Sequence, residues 1–292
     1  MKLNNYQNCL DKIAAVLFTI LGYLNIVFVA VICLYLIGSG IPAIAKIGFL
    51  DFIFGTKWAS TAASPAYGIA PFILTSIYGT LGALVMGLPL GFFCSVYLAK
   101  FASLSTKKTI ESMVDLLAGI PSVVFGFIGM LILVPAIQSL FDLPDGSSLL
   151  AAMVVLAVMI LPSIIKVSIG AIETVPEEYS LGSLALGANK VETVFKVVVP
   201  AARRGIGVAV VLGVGRAIGE AIAVMMVAGN VANMPAIFDS VRFLTTAVAS
   251  EMSYSSGLQR EALFSIALVL FVFIMVINAI LNLTIKASGK NK

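Results

Sequence analysis

Leu149-Leu150-Ala151-Ala152-Met153-Val154-Val155-Leu156-Ala157-Val158-Met159-Ile160-Leu161-Pro162-Ser163-Ile164-Ile165-Lys166-Val167-Ser168-Ile169-Gly170-Ala171-Ile172 is the stretch that decides the fold class. It carries one charge, Lys166, and no alternation of apolar and polar residues. A bilayer's hydrocarbon core, about 30 Å thick, takes about 20 such residues as a helix. Backbone N–H and C=O groups find no partner in lipid, so an apolar run of this length must bond internally as a helix, whereas barrel strands alternate. Five further runs flank it, at about 13–37, 69–98, 113–140, 205–230 and 262–285. The expected fold is all-α, a polytopic membrane protein with six transmembrane helices forming one domain over 1–292.

Composition excludes the soluble classes. Hydrophobic residues make up 60% of the chain and charged ones 11%, against about 45–50% and about 25% in soluble domains. The first run is too long for the core of a secretory signal and is expected to remain as an anchor. The chain has no histidine, and Cys9, Cys33 and Cys94 are too scattered for a metal or redox pair, which argues against metal binding, redox chemistry and histidine-based catalysis. No cofactor is expected on this chain.

Orientation follows from lysine and arginine, which are retained on the cytoplasmic side of short loops. Lys2, Lys12, Lys100, Lys107, Lys108, Lys190, Lys196, Arg203, Arg204, Lys286, Lys290 and Lys292 fall on one side, and only Lys46, Lys57, Arg242 and Arg260 on the other. Both termini are therefore expected in the cytoplasm, with the chain multi-pass in the membrane and lipid around it. The net charge of +4 reports topology, and its scatter over separate segments excludes a nucleic-acid stripe.

Three connections are too long to be plain links. Two, 38–68 and 231–261, are external; the third, 173–204, is cytoplasmic. That third segment opens with Thr174-Val175-Pro176-Glu177, a capping-box spacing with proline at a helix start. Leu181, Leu184, Ala188, Val191, Phe195 and Val198 then recur at steps of three and four, along one stripe. Gly187 is expected to bend the segment and Pro200 to close it. Such a stripe lies on the membrane surface or docks on a cytoplasmic protein. Surface helices favour basic polar faces, and this one begins with Glu177 and Glu178, which tilts the balance to a protein.

The fifth run contains Gly215-Arg216-Ala217-Ile218-Gly219-Glu220. An ionisable residue at the centre of a membrane helix costs at least about 2.5–3.5 kcal/mol. Counted from Gly205, Arg216 lies about 16 Å along the helix, near the midplane. Arg216 and Glu220 are four apart, on one helical face. One interpretation is an internal salt bridge that locks the bundle. The other is that Arg216 faces a polar path and grips an anion, with Glu220 holding the arginine while the site is empty. Gly215 and Gly219 would let another helix approach.

Lys166 is expected to snorkel to the cytoplasmic face, and Asp115 to complement the N-terminus of the third span. Thr75, Ser76, Thr80, Ser122 and Asn230 are weaker candidates for lining a path, since such side chains commonly bond backbone. Gly182 to Gly187 has phosphate-loop spacing but lacks the following lysine and hydroxyl, and the glycines at 213, 215 and 219 miss the dinucleotide spacing. Whatever energy drives the protein is therefore expected to come from elsewhere.

The cytoplasmic segment resembles the loop of ATP-binding-cassette import permeases, in which Glu-Ala-Ala is followed by three residues, Gly, nine residues, Ile, one residue and Leu-Pro. Gly187, Val197, Val199 and Pro200 match; Leu181-Gly182-Ser183 stands where Glu-Ala-Ala is expected. Phe54-Gly55-Thr56-Lys57-Trp58, Leu116 to Gly126, and Gly215 to Ala221 continuing to Val227-Ala228-Gly229-Asn230 resemble phosphate-import permeases of the PstC type.

That resemblance implies a type I importer permease with a cytoplasmic coupling helix. It implies a sister PstA-like permease, a dimer of PstB-like ATPase subunits holding ATP and Mg, and an external PstS-like phosphate-binding protein. The ATPase-coupling residues are then Glu177, Glu178, Leu181, Leu184, Gly187, Ala188 and Pro200, and the substrate path runs by Arg216 and Glu220. Alternatives are a permease for molybdate or sulfate, an ion-driven secondary carrier or channel, and a membrane scaffold.

Overall fold

The computed structural model describes residues 2–287, with side chains over 12–284. Lys290 and Lys292 lie outside the described residues, and Lys2, Cys9 and Lys286 are described by backbone alone. Eleven helices follow in order among the described residues. They are α1 (Lys2–Ile47), α2 (Phe49–Phe54), α3 (Ala70–Lys100), α4 (Leu104–Gly119), α5 (Ser122–Phe141), α6 (Leu149–Glu173), α7 (Glu177–Ala185), α8 (Lys190–Gly219), α9 (Ile222–Val227), α10 (Leu244–Glu251) and α11 (Gly257–Ala287). A two-stranded hairpin, β1 (Trp58–Ala59) with β2 (Ala66–Tyr67), joins α2 to α3. Six of the helices, α1, α3, α5, α6, α8 and α11, are long and apolar enough to cross a membrane.

Helix α6 is the hub. It packs most extensively on α3 and α8, and Leu149, Leu156, Met159, Ile160, Ile164 and Ile172 along it are fully buried. Lipid is as apolar as leucine, so close contact rather than water exclusion must hold these helices together. Glycines supply it. A Cβ at Gly91 of α3 would stand 2.8 Å from Ile164 Cγ2, and one at Gly205 of α8 would collide with Ala171 Cβ.

The helix bounds differ from the hydropathy runs in three places. First, α1 continues through 38–47, so the first long connection starts only at Gly48. Second, the run 113–140 is two helices. Ile120 precedes Pro121 and is extended (φ −70°, ψ 127°), as the ring of a following proline favours, so α4 ends and α5 begins there. Third, the run 205–230 is cut at Glu220, and its true helix begins fifteen residues earlier, at Lys190.

Pro200 does not close the coupling segment. It lies at the second residue after a π turn, Val194–Val198, and the helix runs on through it. Pro135 in α5 follows the π turn Gly129–Leu133 in the same way. A proline has no N–H and its ring presses on the carbonyl four residues back; a widened turn just before it accommodates both.

At one end of the bundle the two segments expected as separate external loops merge into a cap. Phe52, Tyr67, Ile69, Phe72, Leu244, Ala247, Leu263 and Ile266 form one buried cluster. Arg242 lies over the Phe72 ring, 5.8 Å from its centroid, and pairs with Glu251. The opposite end carries α4, α7 and the start of α8.

Candidate functional site

Two contacts set the register of α6 against α8. Gly205 meets Ala171, and Gly213 meets Ile164 and Ile160. The helices are antiparallel, so Arg216 stands level with Ile160, at mid-length of α6, and Lys166 stands level with Val210. Arg216 is half-buried and makes no ion pair or hydrogen bond among the described residues.

Glu220 does not pair with it. The four-residue spacing places the two on one face only while the helix continues, and at Glu220 the backbone turns extended (φ −74°, ψ 128°). The carboxylate instead accepts the Ala223 N–H at 3.2 Å, and the Glu220 carbonyl accepts the Thr245 hydroxyl at 2.8 Å. The expected salt bridge, and with it the idea that Glu220 restrains the arginine, is replaced by a carboxylate fixed at the start of α9. Nor does another helix of this chain use the glycines. A Cβ at Gly215 or Gly219 would meet nothing within 4 Å, and Val208 and Leu212 beside them are exposed. This leaves one side of α8 open along its length.

Two other charges have partners that were not expected of them. Lys166 is half exposed, and its ammonium is ion-paired with Asp115. Asp115 lies in the last turn of α4, not at the start of a span, so it complements no helix N-terminus. The signal was present in the sequence: each is a lone charge in an apolar stretch, and the two have opposite sign. Among the weaker candidates, Ser76 accepts the Leu244 N–H at 3.0 Å. Thr75 Oγ1 and Asn230 Oδ1 are buried without a partner, and Asn230 adopts φ 56°.

The coupling segment is two helices at an angle. Gly187, at φ 90°, makes the turn expected of it, a conformation that costs a residue with a Cβ roughly 1–2 kcal/mol. Of the apolar stripe, Leu181, Leu184, Val191 and Phe195 are exposed, Ala188 is half-buried and Val198 is fully buried; Leu186, just before the turn, is exposed as well. The capping box expected at Thr174 and Glu177 is absent, because Thr174 ends α6 and its hydroxyl donates to the Ala171 carbonyl. A capping box forms instead at Asn189 and Glu192, the start of α8.

Glu177 and Glu178 are exposed in the first turn of α7, and Ala188, just after the Gly187 turn, is half-buried. Ser183 and Thr193 hydroxyls, 3.0 Å apart, clamp α7 to α8. The Asn189 backbone N–H, with Lys196, holds the Glu192 carboxyl below its ordinary range. A hydrogen bond to Glu173 raises the Lys107 ammonium, against the lowering effect of burial.

Residues 87–289 match the family described as binding-protein-dependent transport system inner membrane component. A probable ABC transporter permease protein YqgH of Bacillus subtilis is 40% identical over 235 residues, covering 78% of this chain and 76% of its own length. The phosphate transport system permease protein PstC of Haemophilus influenzae is 31% identical over 304 residues, covering 97% and 94%. A bacterial alginate ABC transporter, solved with an alginate-bound periplasmic protein, superposes with a TM-score of 0.62 at 15% identity and covers 94% of both chains. The MetNI methionine ABC transporter, inward facing, gives 0.57 at 19%, covering 76% of this chain and 94% of its own. These last two show a shared fold.

Proposed function

Because this chain belongs to the family of binding-protein-dependent transport system inner membrane components, we propose that it is the membrane-spanning permease of an ATP-driven importer of inorganic phosphate. The observation that carries the cargo assignment is Arg216: a guanidinium at mid-length of the bundle, on its open side, with no carboxylate engaged. A guanidinium binds a phosphate through two parallel N–H donors, and in a low-dielectric surrounding the attraction is strengthened. The names of the PstC relatives support phosphate as the anion.

In this reading the open side of α8 meets a PstA-like sister permease. The exposed leucines of α7, with Glu177 and Glu178, seat on a PstB-like ATPase dimer, which holds ATP and Mg. The capped end receives a PstS-like phosphate-binding protein, and both termini face the cytoplasm. ATP binding draws the ATPase subunits together and pushes α7; the bundle opens outward, takes phosphate, and is reset by hydrolysis. No bond is made or broken on this chain, which binds and orients the anion and couples its passage to α7.

Uptake of radiolabelled phosphate in cells carrying Arg216→Ala or Arg216→Lys tests the reading, with membrane abundance measured alongside. Loss of uptake in the alanine variant at normal abundance is expected. Normal uptake in both variants removes Arg216 from the path, and competition by molybdate or sulfate instead of phosphate reassigns the cargo.

A further inference from the structure

Lys166 and Arg216 border the same open strip of the bundle. On α6, Ala157, Ile160 and Ile164 face α3, Ile160, Ile164 and Ala171 face α8, and Ile165 and Ile169 pack with Val114 of α4. What remains uncovered toward the coupling end is the strip holding Lys166 and Gly170, where an added Cβ at Gly170 would meet nothing within 4 Å. On α8 the uncovered strip holds Leu212, Gly215 and Gly219, with Arg216 between it and the α6 seam. Successive helical positions turn by about 100°. That places both strips on the side of the α6–α8 pair away from α3. In the register described above, Val210 and Arg216 are six positions apart, so the two cations are about 9 Å apart along the axis.

Lys166 differs from Arg216 in having a resident anion, the Asp115 carboxylate. The pair is not sealed in, for the side chains remain 48% and 58% exposed in this chain. A pair that open to one strip is poorly placed to stabilise the fold, since exposed ion pairs contribute little. It is well placed for exchange. A carboxylate and a phosphate compete for the same ammonium, and the carboxylate prevents a bare cation from trapping the cargo at a depth where charge is costly.

The helix that carries Asp115 is also tied to the end of the bundle that bears α7. At the other end of α4, Lys107 is ion-paired with Glu173, the last residue of α6, four positions before α7.

We propose that Lys166 is a second anion-holding residue, inward of Arg216, and that Asp115 is its resident counter-ion, displaced by the passing anion. The inference rests on the phosphate-permease reading above. Phosphate leaves Arg216 for Lys166 as Asp115 swings away, and the carboxylate returns to Lys166 to release the cargo inward. Lys166 sets the hand-over; Asp115 sets its end.

The test uses the complete complex in proteoliposomes, with its ATPase, sister permease and binding protein, reading radiolabelled phosphate uptake and ATP hydrolysis. Lys166→Met is expected to lower the uptake rate about tenfold with Lys166→Arg near normal, since arginine keeps the cation that an anion needs and methionine removes it. Asp115→Asn is expected to slow the rate at saturating phosphate about fivefold, and to make phosphate trapped on the ATPase side inhibit at lower concentration, because release now lacks its competitor.

The charge swap Lys166→Asp with Asp115→Lys separates roles: a merely structural pair is restored by it, whereas the proposal expects normal assembly with uptake still depressed. Recovery of uptake by the swap overturns the proposal, as does uptake within twofold of normal in assembled Lys166→Met. If Lys166→Met does not assemble, the swap and Asp115→Asn decide. A wild-type complex that moves no phosphate overturns the phosphate reading itself, together with this inference.

Discussion

The two ends of the bundle are built on opposite principles. At the capped end, α2, the hairpin, α10 and the starts of α3 and α11 enclose their own core, with Phe52, Phe72, Leu244 and Leu263 fully buried. They also enclose an ion pair, Arg242 with Glu251, whose side chains are only 16% and 20% exposed. That pair is embedded further: Arg242 Nε donates to the Asn230 carbonyl at 2.9 Å, and Gln259 Nε2 donates to Glu251 at 3.0 Å. At the coupling end α7 buries none of its residues, and Leu186 is 91% exposed. The first end completes itself. The second leaves the leucines of α7 and of the turn after it exposed, as the proposed docking on an ATPase requires.

The difference can be broken from the capped end first. Truncation of Phe72 to alanine is expected to destabilise by roughly 3–5 kcal/mol, since it opens a cavity in a closed cluster and removes the ring under Arg242. Thermal unfolding in detergent should show it as a clear loss of melting temperature. Glu251→Gln leaves the guanidinium without its counter-charge in a largely enclosed place, at a cost of about 3 kcal/mol. The same melting assay should find Arg242→Met with Glu251→Leu milder than the single change. A single variant with unchanged melting would mean that the cap is not held by this pair.

Effects at the coupling end should be smaller on stability and larger on coupling. Gly187→Ala forces a Cβ into a φ of 90°, costing roughly 1–2 kcal/mol; open space around it means that no clash adds to this. Protease sensitivity between α7 and α8 would register the change. The pH response is narrower still. The carboxyl of Glu192 is depressed below 4.5 in the folded state. Its support of the α8 start is therefore whole above pH 4.5 and lost as pH falls through the depressed folded value. Hydrogen exchange at 191–196 should speed up in acid, and Glu192→Gln should remove that dependence.

Leu186→Ser is expected to change stability by no more than about 0.5 kcal/mol while lowering recovery of the ATPase in a pull-down. An ATPase that binds the serine variant normally would sink the picture of α7 as an unfinished surface.

Much of this was legible in the chain because hydropathy is a local property. Six apolar runs, the bend at Gly187, and an arginine lone in an apolar helix all follow from neighbours in sequence. Helix ends were not legible in the same way. Glu220 ends a helix inside an apolar run by turning its carboxylate onto Ala223, and Pro200 fails to end one because a π turn precedes it. Both outcomes depend on hydrogen bonds rather than on hydrophobicity.

The sequence by itself determined that this protein lives in a membrane as helices, since lipid cannot satisfy a bare backbone, and its motifs placed it among import permeases. Only the tertiary structure decided which charges pair. Lys166 and Asp115 are 51 positions apart in the chain and meet because α4 folds back on α6. Arg216 and Glu220 are four apart and do not pair, because the helix between them stops. Pairing is a matter of distance in space, and in this chain spacing along the sequence predicted it in neither case.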